Sequence, residues 1–185
     1  MPKTRTEILH QIKYLGSEIG LVVNRRYWRV ITMWFGGGLY VNISYRIDRI
    51  LFLLFGPSYV IIRPIFYPIF LLCQILGGRH EIHYKADIGP GLKVLHTALG
   101  TVISAKTVAG AKLTLTGGNL IGGRKPLSDG DIKIGSNVSL GANAVILGPI
   151  RIGNNCTVGA GSVVISDFPD GSVLVGVPAR NIKHT

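Results

Sequence analysis

From Ile134 to Val164 an aliphatic residue recurs at every sixth position, at Ile134, Leu140, Ile146, Ile152, Val158 and Val164, in a stretch otherwise rich in Gly, Ala, Asn and Ser. Neither a helical period of 3.6 nor a strand period of 2 produces that spacing. The next residue is Gly at positions 135, 141, 153 and 159, so each unit reads as a short strand closed by a tight turn. One such unit cannot bury its single inward side chain. Burial requires neighbours to stack, which makes the stretch a solenoid with three units to a triangular turn of about eighteen residues.

The same period appears upstream at Ile82, Ile88 and Val94, and less cleanly at Val102 and Val108. The interval from Val108 to Ile134 is not a multiple of six. Gly117–Asp131 (GGNLIGGRKPLSDGD) is therefore expected to hold a loop thrown out of the coil, rich in the Gly, Pro and Asp that favour turns. Extruded loops of this kind often carry function. At the other end SDFPDGSVLVGVPARNI breaks the period and closes the coil.

The chain divides by composition near Gly77-Gly78. Every aromatic residue except Tyr84 and Phe168 lies in residues 1–80, and that half carries ten Lys/Arg against three acids, a net +7 of the chain's +11. Residues 81–185 are the repeat unit. Helical spacing marks residues 4–24 (Ile8, Ile12, Leu15, Ile19), about Tyr40 to Phe55, and roughly Ile61 to Leu76. In the second of these, Arg46, Asp48 and Arg49 mark the wetter face. These helices would cap the unpaired strand edge at the start of the coil.

Ile50 to Leu76 is long enough to span a bilayer, but Arg63 lies near its middle, and Pro57, Pro64 and Pro68 would free backbone groups that lipid cannot satisfy. Two broken helices lying against the coil or in the membrane interface are expected instead. No nucleic-acid recognition module is visible, and the arginines sit among aliphatic runs, so an anionic membrane surface or anionic ligand fits the charge better. Residues 1–20 do not read as a signal peptide, and Cys73 and Cys156 suggest neither a disulfide framework nor a metal site. A cytoplasmic protein, at the inner face of the membrane if it touches lipid, is the expectation.

The repeats, EIHYKADIGPGLKVLH (Glu81–His96) and VGVPAR (Val175–Arg180) resemble the hexapeptide-repeat acyltransferases, in particular the serine acetyltransferase branch. Within it the look is closest to the acetyltransferases of exopolysaccharide synthesis, including the colanic-acid type. The resemblance covers roughly residues 40–183. It implies a left-handed parallel β-helix, a homotrimer with active sites between neighbouring subunits, and acetyl-CoA as co-substrate. The short N-terminal region leaves the pairing of two trimers undecided.

The implied chemistry moves an acetyl group to a hydroxyl, a poor nucleophile that needs a base with a pKa near working pH. His96 aligns with the family's catalytic histidine; without the motif it would read as a surface histidine. Glu81 stands where these enzymes carry an aspartate that orients the imidazole, and its place fifteen residues earlier would let it approach across adjacent rungs. His83 matches a second motif histidine, on the substrate side. Gly117 and Gly118 match a glycine pair beside the thioester, whose oxyanion needs donors such as backbone N–H groups. The pantetheine arm would run past Gly141, Ala142, Gly159 and Ala160, although small residues also serve the turns of the coil. Arg180 and Lys183 are candidates for the CoA phosphates. His80, His83 and His96 do not match a zinc trio in spacing or rung position, so no metal is expected.

Departures from the branch bear on the acceptor. Leu95 replaces an Asp before the catalytic histidine, Ser128–Asp131 carries no Arg-His pair, and Val23 and Asn24 occupy the neighbourhood of an aspartate that helps hold serine. Burying a zwitterion without partners is costly. A saccharide or surface-polysaccharide hydroxyl, met by Arg124 and Lys125 of the loop, is therefore the expected acceptor. Serine O-acetylation for cysteine biosynthesis is the alternative, and a non-catalytic β-helix scaffold the second.

Overall fold

The computed structural model describes residues 2–23 and 37–182. The solenoid expected from the period is present as the left-handed parallel β-helix that the family resemblance implies, built of three parallel sheets. The first stacks β1 (Glu81–Ile82), β4 (Thr101–Ile103), β7 (Asn119–Gly123), β10 (Val145–Gly148) and β13 (Val163–Val164). The second holds β2 (Asp87–Ile88), β5 (Thr107–Ala109), β8 (Ile132–Ile134) and β11 (Ile150–Ile152). The third holds β3 (Lys93–Val94), β6 (Thr114–Leu115), β9 (Ser139–Leu140), β12 (Thr157–Val158) and β14 (Val173–Gly176), with β15 (Ala179–Asn181) added antiparallel to end the coil.

Each rung turns one residue inward per face. Ile82, Ile103, Ile121, Ile146 and Val164 line the first face, and Val94, Leu115, Leu140, Val158 and Leu174 the third, all within one buried core. Each inward aliphatic removed from water contributes roughly 1.5–3 kcal/mol, so the core is assembled in small equal increments along the axis. Turns need a left-handed residue, and Asn137 and Asn155 supply it at φ of 58° and 56°, their side chains hydrogen-bonded to each other at 2.9 Å.

Two expected registers change. Val102 and Val108 point outward, and Ile103 and Ala109 are the buried residues. A short 3-10 turn at Thr97–Leu99 inserts three residues, so Glu81 pairs with Val102 after 21 residues, whereas Thr101 pairs with Asn119 after eighteen. The extruded loop is also shorter than 117–131. Asn119 and Ile121 are buried in β7, and only residues 124–131 leave the coil, as the 25-residue step from Leu120 to Val145 requires.

The helices are α1 (Pro2–Val23), α2 (Gly38–Phe55) and α3 (Tyr59–Gly77), with a 3-10 turn at Gly56–Ser58 between the last two. The helix expected to break at its prolines is continuous through Pro64 and Pro68. The face of α2 expected to be wet is the buried one. Asn42, Tyr45, Arg46 and Arg49, at steps of three and four, meet the carbonyls of the first rung: Asn42 Nδ2 donates to Leu92 O, Tyr45 Oη to Ala86 O, Arg46 to Ile88 O and Gly89 O, and Arg49 to Lys85 O. A strand edge presents unpaired polar groups, and polar side chains are what can satisfy them.

α1 behaves likewise. Its buried residues are Gln11 and Glu18, while Ile12 of the expected apolar stripe is half exposed. Glu18 accepts from Gly91 N and Leu92 N at 3.1 Å and pairs with the fully buried Arg46 at 2.7 Å. Val41, Tyr45, Tyr59 and Phe70 are buried, but most of the large apolar residues of α3 are consequently turned outward.

Candidate active site

His96 lies two residues past β3, at the corner between the third and first faces. Its backbone N–H donates to Thr116 O, which holds the corner to the rung below, and its side chain is exposed. Gly117 lies directly beneath. A Cβ there would fall 2.3 Å from His96 O and 3.3 Å from His96 Cβ, at a φ of +134° that side chains rarely adopt. Asn119, buried in β7, fixes this turn: its Oδ1 accepts from Gly117 N at 2.9 Å and its Nδ2 donates to Gly141 O at 2.7 Å. The sequence reading missed Asn119. Its signal was an amide just after a Gly-Gly pair, where short polar side chains satisfy turn backbones.

The expected oxyanion donors are engaged elsewhere. Gly117 N–H goes to Asn119, and Gly118 N–H donates to Gly100 O at 2.7 Å. The pair provides space at His96 instead of free donors.

Below Gly117 the corner continues through Ala142 and Ala160, whose N–H groups make no hydrogen bond among the described residues. Gly141 is small for a different reason than a groove, since a Cβ there would meet Ala160 N at 2.5 Å in the stacked rung; at Gly159 the nearest atom would be Val175 Cγ2 at 3.2 Å. Arg180 is exposed on β15 at the coil's end, and Lys183 lies outside the described residues.

Glu81 opens β1, on the first face, and no hydrogen bond or ion pair joins it to His96 among the described residues. The inserted turn at Thr97–Leu99 lies between His96 and the strand on which Glu81 rests. Glu81 instead lines a cavity of about 400 Å³ with Arg63, Gln74, Arg79, His80 and Thr101. His80 is buried there, its Nδ1 hydrogen-bonded to Gly78 O at 2.9 Å and its Nε2 without a partner. Burial outweighs that bond and lowers the His80 pKa, so the ring is neutral at pH 7.

His83 stands apart, in a neighbouring cavity with Val60, Pro64, Tyr67 and Tyr84. Its Nδ1 accepts from Lys85 N at 3.1 Å, and burial, then the charges of Arg63 and Lys85, lower its pKa. Arg124 and Lys125 follow β7 and precede β8, at the corner between the first and second faces. Arg124 donates to Ile165 O at 2.9 Å. One chain therefore places the loop and His96 on different edges of the prism. Among the described residues, no group of three or more His, Cys, Asp or Glu is arranged to hold a metal.

Residues 131–166 match the bacterial transferase hexapeptide (six repeats) family. The chain is 43% identical over 103 residues to serine acetyltransferase 1, chloroplastic, of Arabidopsis thaliana, covering 55% of this chain and 32% of that protein. It is 33% identical over 103 residues to the serine acetyltransferase of Helicobacter pylori, covering 55% and 60%. The chain thus spans about a third and three fifths of the length of these curated relatives. The crystal structure of Neisseria gonorrhoeae serine acetyltransferase superposes with a TM-score of 0.74 at 30% identity, covering 98% of this chain and 69% of that one. The same enzyme in complex with serine gives 0.72 at 28% identity, covering 97% and 72%.

These relatives overturn the saccharide acceptor expected from the sequence, and with it the nearness to exopolysaccharide acetyltransferases and a place in polysaccharide biosynthesis. That expectation rested on missing charged partners at known motif positions. The fold brings Arg63, Arg79 and Glu81 together from α3, the following turn and β1, a convergence that spacing along the chain does not reveal.

Proposed function

Because the chain belongs to the hexapeptide-repeat transferases, we propose that it is an acyltransferase moving an acetyl group from acetyl-CoA to the hydroxyl of serine. The observation that carries this is an exposed histidine at a coil corner above a glycine at which no side chain fits. That arrangement leaves room for a thioester beside a base.

In the proposed reaction the His96 imidazole removes the serine hydroxyl proton as the oxygen attacks the thioester carbon. The tetrahedral intermediate collapses, the carbon–sulfur bond breaks, and the imidazolium returns the proton to the CoA thiolate. Ala142 and Ala160 offer unengaged N–H groups down the same corner, spaced by rungs about 4.8 Å apart, to the amide oxygens of an extended pantetheine arm.

The acceptor's charges would find partners in the cavity lined by Arg79 and Glu81, on the other side of the Thr97–Leu99 turn from His96. Arg79 makes no ion pair among the described residues and suits the carboxylate, while Glu81 suits the ammonium group. Such pairing is what a zwitterion requires on leaving water.

We further infer a homotrimer. His96 and the Arg124–Asp131 loop occupy different corners of one chain, so only a neighbouring copy can bring a loop to the base. Exposed Leu95, Leu99 and Val102 flank His96 and suit burial by that copy.

The test is thiol release from acetyl-CoA with L-serine. His96→Ala should lower turnover by about 10²–10⁴-fold while leaving the thermal transition in place. Activity retained in His96→Ala, or no serine-dependent release by the natural chain, would refute the reading.

A further inference from the structure

We propose that α3, with the tip of the α2–α3 hairpin, docks on an anionic lipid surface. The inference is independent of the acetyl acceptor. It starts from the inverted helices of the cap: α2 spends its polar face on the coil, which leaves the hairpin's apolar residues without protein to cover them. Ile61, Ile65 and Ile75 are 81%, 74% and 71% exposed, and Leu54, Val60 and Leu72 are more than half exposed. With Tyr67, Ile69, Leu71 and Leu76, also exposed, they run along the length of α3 and the end of α2 as a continuous apolar surface, where monomeric soluble proteins scatter exposed apolar residues singly or in small patches.

The charge around this surface selects the occupant. Residues 49–80 contain Arg49, Arg63 and Arg79 and no Asp or Glu. Arg49 and Arg63 are neutralised by Asp87 and Asp48, which removes the cost of holding them against an apolar phase, while Lys85 is exposed at the margin without an ion pair among the described residues. An apolar face with a basic margin and an exposed Tyr67 is complementary to anionic headgroups over acyl chains.

The helix lies on the surface and does not cross it. Gly38–Gly77 is long and apolar enough to span by composition, with 11% of its most apolar window buried. Yet α2 is held to the first rung by Asn42, Arg46 and Arg49. The end of α3 also returns to the start of α2, where a Cβ at Gly77 would meet Tyr40 Cβ at 2.7 Å. Both ends of the hairpin therefore stay on the coil's side of the interface.

The experiment is co-sedimentation of the full chain with vesicles of phosphatidylcholine alone and with roughly a third phosphatidylglycerol. The natural chain should sediment with the anionic vesicles. Ile61→Asp/Ile65→Asp should bind them at least about ten-fold more weakly, with serine-dependent thiol release and thermal transition unchanged. A chain that stays in the supernatant with both vesicles overturns the proposal, as does a double variant that binds like the natural chain. If the face is instead covered by a second copy, sedimentation velocity will show an assembly that the double variant loses, with no vesicle binding, and that result also overturns it.

Discussion

Replacing Arg46 by Met is the sharpest test of how the helices are held. Arg46 is fully buried and donates to Glu18 Oε1, Gln11 Oε1, Ile88 O and Gly89 O, each at 2.7 Å, with Nε to Glu18 Oε2 at 3.3 Å. Removing one partner of a buried pair costs about 3–5 kcal/mol, and the two orphaned carbonyls push the figure to the upper part of that range. A loss of about 4–5 kcal/mol corresponds to roughly 8–20 °C in a chain of this size. Urea and thermal unfolding followed by circular dichroism would measure it. Arg46→Met/Glu18→Gln should recover about half, because Gln keeps an acceptor for Gly91 N and Leu92 N without a buried charge. A single variant costing under about 1 kcal/mol, or a double variant no better than the single, would refute the reasoning.

Two further outcomes follow from the corner and the cavity. Gly117→Ala places a Cβ 2.3 Å from His96 O at a left-handed φ, so the corner must move; kcat for thiol release should fall about 100-fold, and a change under threefold would show that the corner's geometry is not what positions the base. His80 is buried with a lowered pKa, so the fold favours its neutral form. Its contribution is complete above the unfolded value of about 6.5 and is lost as pH falls from there toward the folded value. The urea midpoint should drop between pH 7.5 and 5.5, and His80→Leu should shrink that drop. His83, shifted in the same direction, accounts for part of what is left; an undiminished drop would remove His80 from the explanation.

The coil was legible because burial repeats on a fixed period: the six positions from Ile134 to Val164 all face inward. The register of the second rung was not, because Val102 and Val108 are as apolar as Ile103 and Ala109, and only the three-residue turn at Thr97–Leu99 decides which set points in. Polarity misled on the helices. Arg46 and Arg49 look like solvent-facing residues until a strand edge needs donors, and no pattern within a helix announces a partner made of bare carbonyls. In the site, His96 and Gly117 could be found by motif, but the separation of Glu81 from His96 and its grouping with Arg63 and Thr101 depend on how the rungs and helices stack. The acceptor was misjudged for the same reason, since absent motif residues say nothing about charges delivered from another element.

The cap described for the first rung reads mainly main-chain atoms: the carbonyls of Lys85, Ala86, Ile88, Gly89 and Leu92 and the amides of Gly91 and Leu92, with Asp87 paired to Arg49 and the Tyr84 ring packed on Phe52 and Tyr59 as side-chain contacts. Apart from Asp87 and Tyr84, such a seal is indifferent to the identity of the side chains it covers. Outward positions of that rung other than Asp87 are free to diverge without loosening the helices, and the helical segment is interchangeable among coils whose first rung has the same shape and keeps these two contacts. Surface attachment and chemistry can then be inherited as separable parts.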